Sequence, residues 1–315
     1  MTQYLIRRLL SSIPVLFGVA VSVFFMVHLL PGDVVTARLA EAGVSSDKIA
    51  EARAELGLDR PLYEQFFTWL GGILRGDFGD SLWTGRPVLE HVKETIFISA
   101  ELGFLALAVG VIIAIPMGVI SAIRPNSPID YTARLIAVTG LSVPDFFLGV
   151  LTILLLSRYF DYFPPIGIAN LIDDPLKNLE QLWLPILLLG FRNSAAIARM
   201  TRSTLLEILR SDYIRTAQAK GLRERVIVVR HALKNALIPV VTIMGSQAGA
   251  VIAGTVVMEV LFVIPGMGQL TLTSVTRRDF TQLQINVLII SLLVIVVNLL
   301  VDISYSWLDP RIRYR

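Results

Sequence analysis

The sequence predicts an all-α protein threaded repeatedly through a lipid bilayer, and three observations carry that expectation. Hydrophobic residues make up 54% of the 315-residue chain and its mean hydropathy is +0.68, a balance that a wholly water-facing surface does not permit. The apolar residues gather into long runs, which is the pattern of spans and not of a globular core. The connections between those runs alternate between rich and poor in Lys and Arg, as they do when successive loops lie on opposite sides of a membrane.

Six runs, at 9–30, 97–123, 133–157, 183–200, 238–263 and 285–307, have about the 20 residues that a helix needs to cross ~30 Å of hydrocarbon. The first follows Arg7-Arg8. Its apolar stretch reaches Leu30 and ends in Leu29-Leu-Pro-Gly-Asp33 without a small-x-small cleavage site, so a retained span is expected. The fourth is interrupted by Arg192 and Asn193 and contains Pro185; spans with such residues face protein or water-filled cavities. Pro14, Gly110, Pro116, Gly118, Gly140 and Pro144 punctuate the runs, small residues letting helices approach and prolines bending them.

Two regions follow from this layout. Residues 1–96 hold the first span and an outer, extracytoplasmic helical insertion, and residues 97–315 hold a five-helix core with a basic loop at 199–239. Within the insertion, Ser46 to Leu56 reads as a short helix closed by Gly57. A second helix begins at Pro61, carries Tyr63, Phe66, Phe67 and Leu70 on one stripe, and is expected to stop at Gly71-Gly72. That stripe suits packing on the protein's own helices, the membrane interface or a soluble partner, and the first is favoured.

The 199–237 connection holds nine bases (Arg199, Arg202, Arg210, Arg215, Lys220, Arg223, Arg225, Arg230, Lys234) against three acids. Arg7, Arg8, Arg124, Arg134 and the tail Arg311-Ile-Arg313-Tyr-Arg315 fall on the same side, and Arg277-Arg278 goes against the trend. Both termini and the basic loop are therefore expected in the cytoplasm.

Several chemistries are excluded. With no cysteine there is no disulfide, thiolate metal site or thiol nucleophile. The three histidines are scattered, so no metal site is expected. No Gly-Lys dipeptide occurs, which removes a phosphate-cradling G-x-x-x-x-G-K-[ST] loop and hence ATP hydrolysis by that route. A G-x-S-x-G elbow is absent. No catalytic residues are expected.

In the basic loop, Asp212-Tyr-Ile-Arg-Thr-Ala-Gln-Ala-Lys-Gly-Leu222 opens at Ser211 or Asp212 as N-cap, continues through small residues and stops at Gly221. Such a small-faced helix suits insertion into a partner's groove, with flanking bases steering an acidic rim. An ordinary positive-inside loop held by anionic lipid explains the same residues equally well. The next stretch, 222–237, has apolar residues all round and is expected to be buried.

This loop resembles the EAA motif of binding-protein-dependent ABC importer permeases. Arg215-Thr216-Ala217 occupies the E-A-A place, Gly221 falls at the motif's spacing, and His231-Ala-Leu-Lys234 precedes Leu237-Ile-Pro239. The missing glutamate and displaced proline are similar to the dipeptide/oligopeptide/nickel permease subfamily. Leu29–Asp33, Leu56-Gly-Leu-Asp-Arg-Pro-Leu62, Leu74-Arg-Gly-Asp-Phe-Gly79, Glu259–Gly268 and Leu308-Asp-Pro-Arg-Ile-Arg313 resemble further stretches of it in the same order.

The resemblance implies a MetI-like permease fold in a prokaryotic inner membrane. It implies that Arg215, Thr216, Ala217, Gln218, Ala219, Lys220 and Gly221 form the helix that couples to an ATPase. Implied partners are a second, homologous permease subunit in a heterodimer, two ATPase subunits that bind the ATP and Mg, an extracytoplasmic substrate-binding protein and membrane lipid, with no nucleic acid. The chain itself needs no cofactor. Implied cargo is a dipeptide or oligopeptide, with nickel chelates or glutathione as alternatives. Among the intramembrane polar residues, Asp145, Glu259 and Asn298 are candidates for the translocation path; Asp145 follows Pro144 at an expected helix break. The rival from another class, an ion-coupled secondary transporter, calls for paired buried carboxylates in inverted repeats, and only isolated ones are visible.

Overall fold

The computed structural model describes residues 2–29, 45–55 and 57–308. Leu30–Asp33 of the stretch Leu29–Asp33, Leu56 of the stretch Leu56–Leu62, and the tail from Asp309 with its arginines lie outside them. Among the described residues every regular element is helical: α1 (Thr2–His28), α2 (Ser46–Glu55), α3 (Leu62–Leu74), α4 (Val88–Ile123), α5 (Pro128–Ser142), α6 (Asp145–Phe160), α7 (Pro175–Leu209), α8 (Asp212–Ala219), the single turn α9 (Glu224–Val226), a π-helical stretch Ile227–Ala232, α10 (Leu233–Leu261), α11 (Met267–Thr276) and α12 (Phe280–Leu308).

Four segments, Ile6–His28, Val88–Ile123, Glu224–Gly249 and Phe280–Ile303, are each long and apolar enough to cross a membrane. The expected third span is broken: α5 and α6 meet at 106° across Val143-Pro144, and they make a fifth crossing only if the bent pair is one span. Pro144 is the cause, because its ring pushes Val143 into extended geometry, observed at φ −88° and ψ 126°. The expected fourth span lies inside α7, a continuous helix of 35 residues. Its length suffices, but Arg192, Asn193, Arg199 and Arg202 keep it from reading as apolar. The count of six is thus not established by the helices.

The chain divides into two compact units that interleave in sequence. One comprises residues 2–99 and 265–295. Here Phe66 of α3 is buried against Phe17, Phe24 and Phe25 of α1, so part of the aromatic stripe packs at home while Tyr63 and Phe67 stay exposed. α3 does not stop at Gly71-Gly72. It runs on to Leu74 because Trp69 and Ile73 dock on a core of Val88, Val92, Met267 and Ile285. Termination falls to Gly76, whose φ of +84° is a conformation glycine adopts without strain. The expected Ser46–Leu56 helix is present over Ser46–Glu55, Leu56 lying outside the described residues, and Gly57 is left-handed at φ +67°. Buried Ser81 donates to the Asp279 carboxylate at 2.5 Å.

The other unit comprises residues 100–264 and 296–308 of the described chain. It is built on α7, flanked by α4, α5 and α10. The α4 and α7 backbones touch: a Cβ on Gly110 would stand 3.0 Å from the Gly190 carbonyl, and one on Gly118 would stand 2.6 Å from Thr201 Cβ. The expected role of these glycines is thereby met. Ala114, Ile197, Ala198 and Val240 seal the junction of α4, α7 and α10.

Candidate functional site

The 199–239 segment is far less of a loop than its polarity suggests. α7 carries Arg199 and Arg202 on its last turns before ending at Leu209. Ser211 then turns extended (φ −74°, ψ 155°) as the N-cap of α8, but its hydroxyl donates backward to the Ile208 carbonyl at 2.6 Å. At the other end Gly221, with φ +76°, closes the helix in a Schellman arrangement: its N–H donates to Gln218 O (2.9 Å) and the Leu222 N–H to Ala217 O (3.3 Å).

Two residues of α8 face inward. Ile214 is fully buried and Ala217 is 9% exposed, packed with Ala122, Leu205, Ile227, Ala232 and Ala236. The opposite face presents Tyr213, Arg215, Thr216, Gln218, Ala219 and Lys220 to the outside. Of the seven sequence-selected residues, Ala217 therefore anchors the helix to its own protein while the other six, Gly221 included, are exposed. Arg215 reaches Asp212 at 3.3 Å; with both groups solvated, that pair contributes little. Tyr213 OH accepts from Asn235 Nδ2 at 3.0 Å, joining α8 to the start of α10.

A π-helical stretch, Ile227–Ala232, leads into the motif's downstream half and takes in its first two residues, His231 and Ala232, while Leu233 to Pro239 lie on α10; the periodicity gave no hint of it. A π-turn inserts a residue into the helical phase, and here it brings Ile227, Val228 and Ala232 all to the buried side. The rest of the surface is basic with apolar points: Arg223, Arg225 and Arg230 stand exposed beside Leu222, Val226 and Val229.

Just before α8, an ion cluster absent from the sequence reading ties α5 to α7. Asp130 is fully buried. Its Oδ1 accepts from Ser121 Oγ (2.5 Å) and Arg202 Nε (2.7 Å), and its Oδ2 from Asn126 N (2.9 Å), Arg134 Nη2 (2.9 Å) and Arg202 Nη2 (2.8 Å). Asp130 also raises the Arg202 pKa above its ordinary value, chiefly through these hydrogen bonds. Arg202 sits 72 positions away, so only the Ser127 N-cap beside Asp130 hinted at an ordered site. Next to the cluster is a pocket of about 240 Å³ lined by Met117, Gly118, Ala137, Leu141, Ala198 and Arg199 among others.

The path candidates separate. Asp145 is the first residue of α6 and pairs with Arg192 Nη1 of α7 at 2.5 Å. Glu259 is fully buried near the end of α10. Asn298 is exposed on α12. Among the described residues no group of acidic or histidine side chains forms a metal site.

Residues 114–314 match the family model described as "Binding-protein-dependent transport system inner membrane component", and residues 1–87 match the N-terminal model of the same transport-system membrane component. The dipeptide transport system permease protein DppB of Escherichia coli K12 is 37% identical over 338 residues, and the glutathione transport system permease protein GsiC of Pectobacterium atrosepticum is 43% identical over 317, each match covering 100% of both chains. In fold, the chain is similar to the inward-facing MetNI methionine ABC transporter, with a TM-score of 0.57 at 20% identity over 71% of this chain and 98% of that one.

Proposed function

The chain belongs to the binding-protein-dependent transport system inner membrane component family, and from that premise we propose that it forms half of a heterodimeric passage for a dipeptide or similar small peptide. Two ATPase subunits hydrolyse the ATP, and an extracytoplasmic binding protein delivers the cargo. Support for the peptide comes from the two relatives named for dipeptide and glutathione transport. Membership in a binding-protein-dependent family disfavours the ion-coupled alternative. Both termini and α8 lie in the cytoplasm, a reading supported by the bases concentrated in 199–237.

One observation carries the mechanism: α8 is a short helix clamped to the chain by Ile214 and Ala217 and stopped sharply at Gly221, with its remaining side chains turned outward. Seated in an ATPase groove, its exposed face is gripped by Tyr213, Thr216 and Lys220 contacts while neighbouring bases steer an acidic rim. When nucleotide closes the ATPases, α8 is displaced. Its inner face pulls on the ends of α7 and α10, and a two-state bundle is biased toward the outward-open arrangement.

The test is ATP-driven uptake by the reconstituted complete transporter. Gly221→Asp forces a left-handed conformation on a residue with a Cβ, at about 1–2 kcal/mol, and Ala217→Trp lifts α8 from its seat. Both are expected to insert and assemble yet lose uptake. Normal uptake in both removes the coupling assignment.

A further inference from the structure

Halfway along α7, Arg192 stands about 25 Å from either helix end at 1.5 Å per residue. At that depth its side chain is 53% exposed. A guanidinium bared to hydrocarbon is strongly disfavoured, and intramembrane arginines face the bundle interior or water. The Arg192 side of α7 therefore cannot be a lipid-facing side.

The surroundings are built like a receptor. Arg192 gives one N–H, on Nη1, to Asp145 Oδ2, and a guanidinium carries five. Among the described residues no other hydrogen bond of that guanidinium occurs. Asp145 is only 10% exposed, sits at the 106° break, and keeps its Oδ1 buried without a partner. Over the guanidinium, α10 presents Gly254: a Cβ there would have Arg192 Nη1 as its nearest neighbour, at 4.0 Å. A larger residue would cover the cation; glycine leaves it bare.

We infer that Arg192 lines the passage and receives a carboxylate of the passing solute, with Asp145 as the positioning residue that holds the guanidinium in place. This rests on the permease reading above and adds the chemical group that the passage recognises. Planar guanidinium and carboxylate match as a bidentate pair, and the cargoes named for both relatives, dipeptide and glutathione, carry free carboxylates. The single contact with Asp145 leaves one edge of the fork open for that exchange.

The chain has no cysteine, so Arg192→Cys gives this chain its single thiol, with labelling read on this subunit alone, and it is made with Asp145→Asn to avoid a lone buried carboxylate. In the complete transporter in proteoliposomes, this thiol is expected to react with charged, water-soluble methanethiosulfonates. Protection from them, with reaction only toward a lipid-soluble maleimide, overturns the inference whatever the cargo proves to be. Uptake of L-alanyl-L-alanine is the second measurement. Arg192→Gln combined with Asp145→Asn removes both charges and leaves neither group unpaired; uptake is expected to fall roughly tenfold to a hundredfold, the worth of a charge-assisted hydrogen bond, and Arg192→Lys to keep part of it. Wild-type uptake in the doubly neutral transporter shows the pair to be structural and overturns the inference. If the unmodified transporter does not take up the dipeptide, the cargo reading falls separately and the labelling result decides this one.

Discussion

Asp130→Ala is the substitution whose cost follows most directly from the structure. The carboxylate is fully buried and accepts five hydrogen bonds, two of them from Arg202. Arg134, with 42% of its side chain exposed, can turn to water, and its share is discounted accordingly. Arg202 is 21% exposed and keeps an uncompensated charge between α5 and α7. Breaking a buried pair from one side costs about 3–5 kcal/mol, and the Arg134 discount favours the lower end. At an unfolding entropy of about 2.1 cal/mol/K per residue, a loss of ~3 kcal/mol corresponds to a melting temperature lowered by about 4–5 °C in a chain of this length. The assay is thermal unfolding of the purified protein in detergent. Asp130→Ala with Arg202→Met is the control, since an apolar replacement of both partners is close to neutral. A shift under about 2 °C for the single variant, or a double variant as unstable as the single one, refutes the reasoning.

Two further outcomes are expected. Gly118→Val drives a side chain into Thr201 and the Ala198 carbonyl and is expected to cost about 1–3 kcal/mol of overpacking, read as a lowered melting temperature; an unchanged melt would show that α4 and α7 separate easily. Phe66→Ala empties the centre of an aromatic cluster with Phe17, Phe24 and Trp69. It is expected to cost up to about 3–5 kcal/mol and to speed proteolysis within 45–75, whereas wild-type resistance there would argue against the α1–α3 packing.

The outline of α8 was legible because its ends are written locally: Ser211 precedes it and left-handed Gly221 follows. The break at Pro144 was legible for the same reason, since a proline acts on the residue before it, although its 106° angle depends on packing that no local rule sees. Gly71-Gly72 misled because two glycines weaken a helix by only about 1 kcal/mol each, and Trp69 and Ile73 on an apolar core outweigh that. Asp130 and Arg202 were invisible together: each reads as an ordinary charge near a span end, and the fold alone joins them. The π-stretch was hidden because a search at helical period presumes the spacing that Ile227–Ala232 violates.

The glycine contacts between α4 and α7 carry a mechanical consequence. With Gly110 against the Gly190 carbonyl and Gly118 against the Ala198 carbonyl and Thr201 Cβ, the two rods interlock at two levels, and lengthwise slip at either would drive atoms of one helix into the backbone of the other. They can tilt only together, as one stiff beam of ~50 Å at 1.5 Å per residue. A shove delivered at one tip is thus conveyed to the far tip as rotation instead of being dissipated as sliding between neighbours.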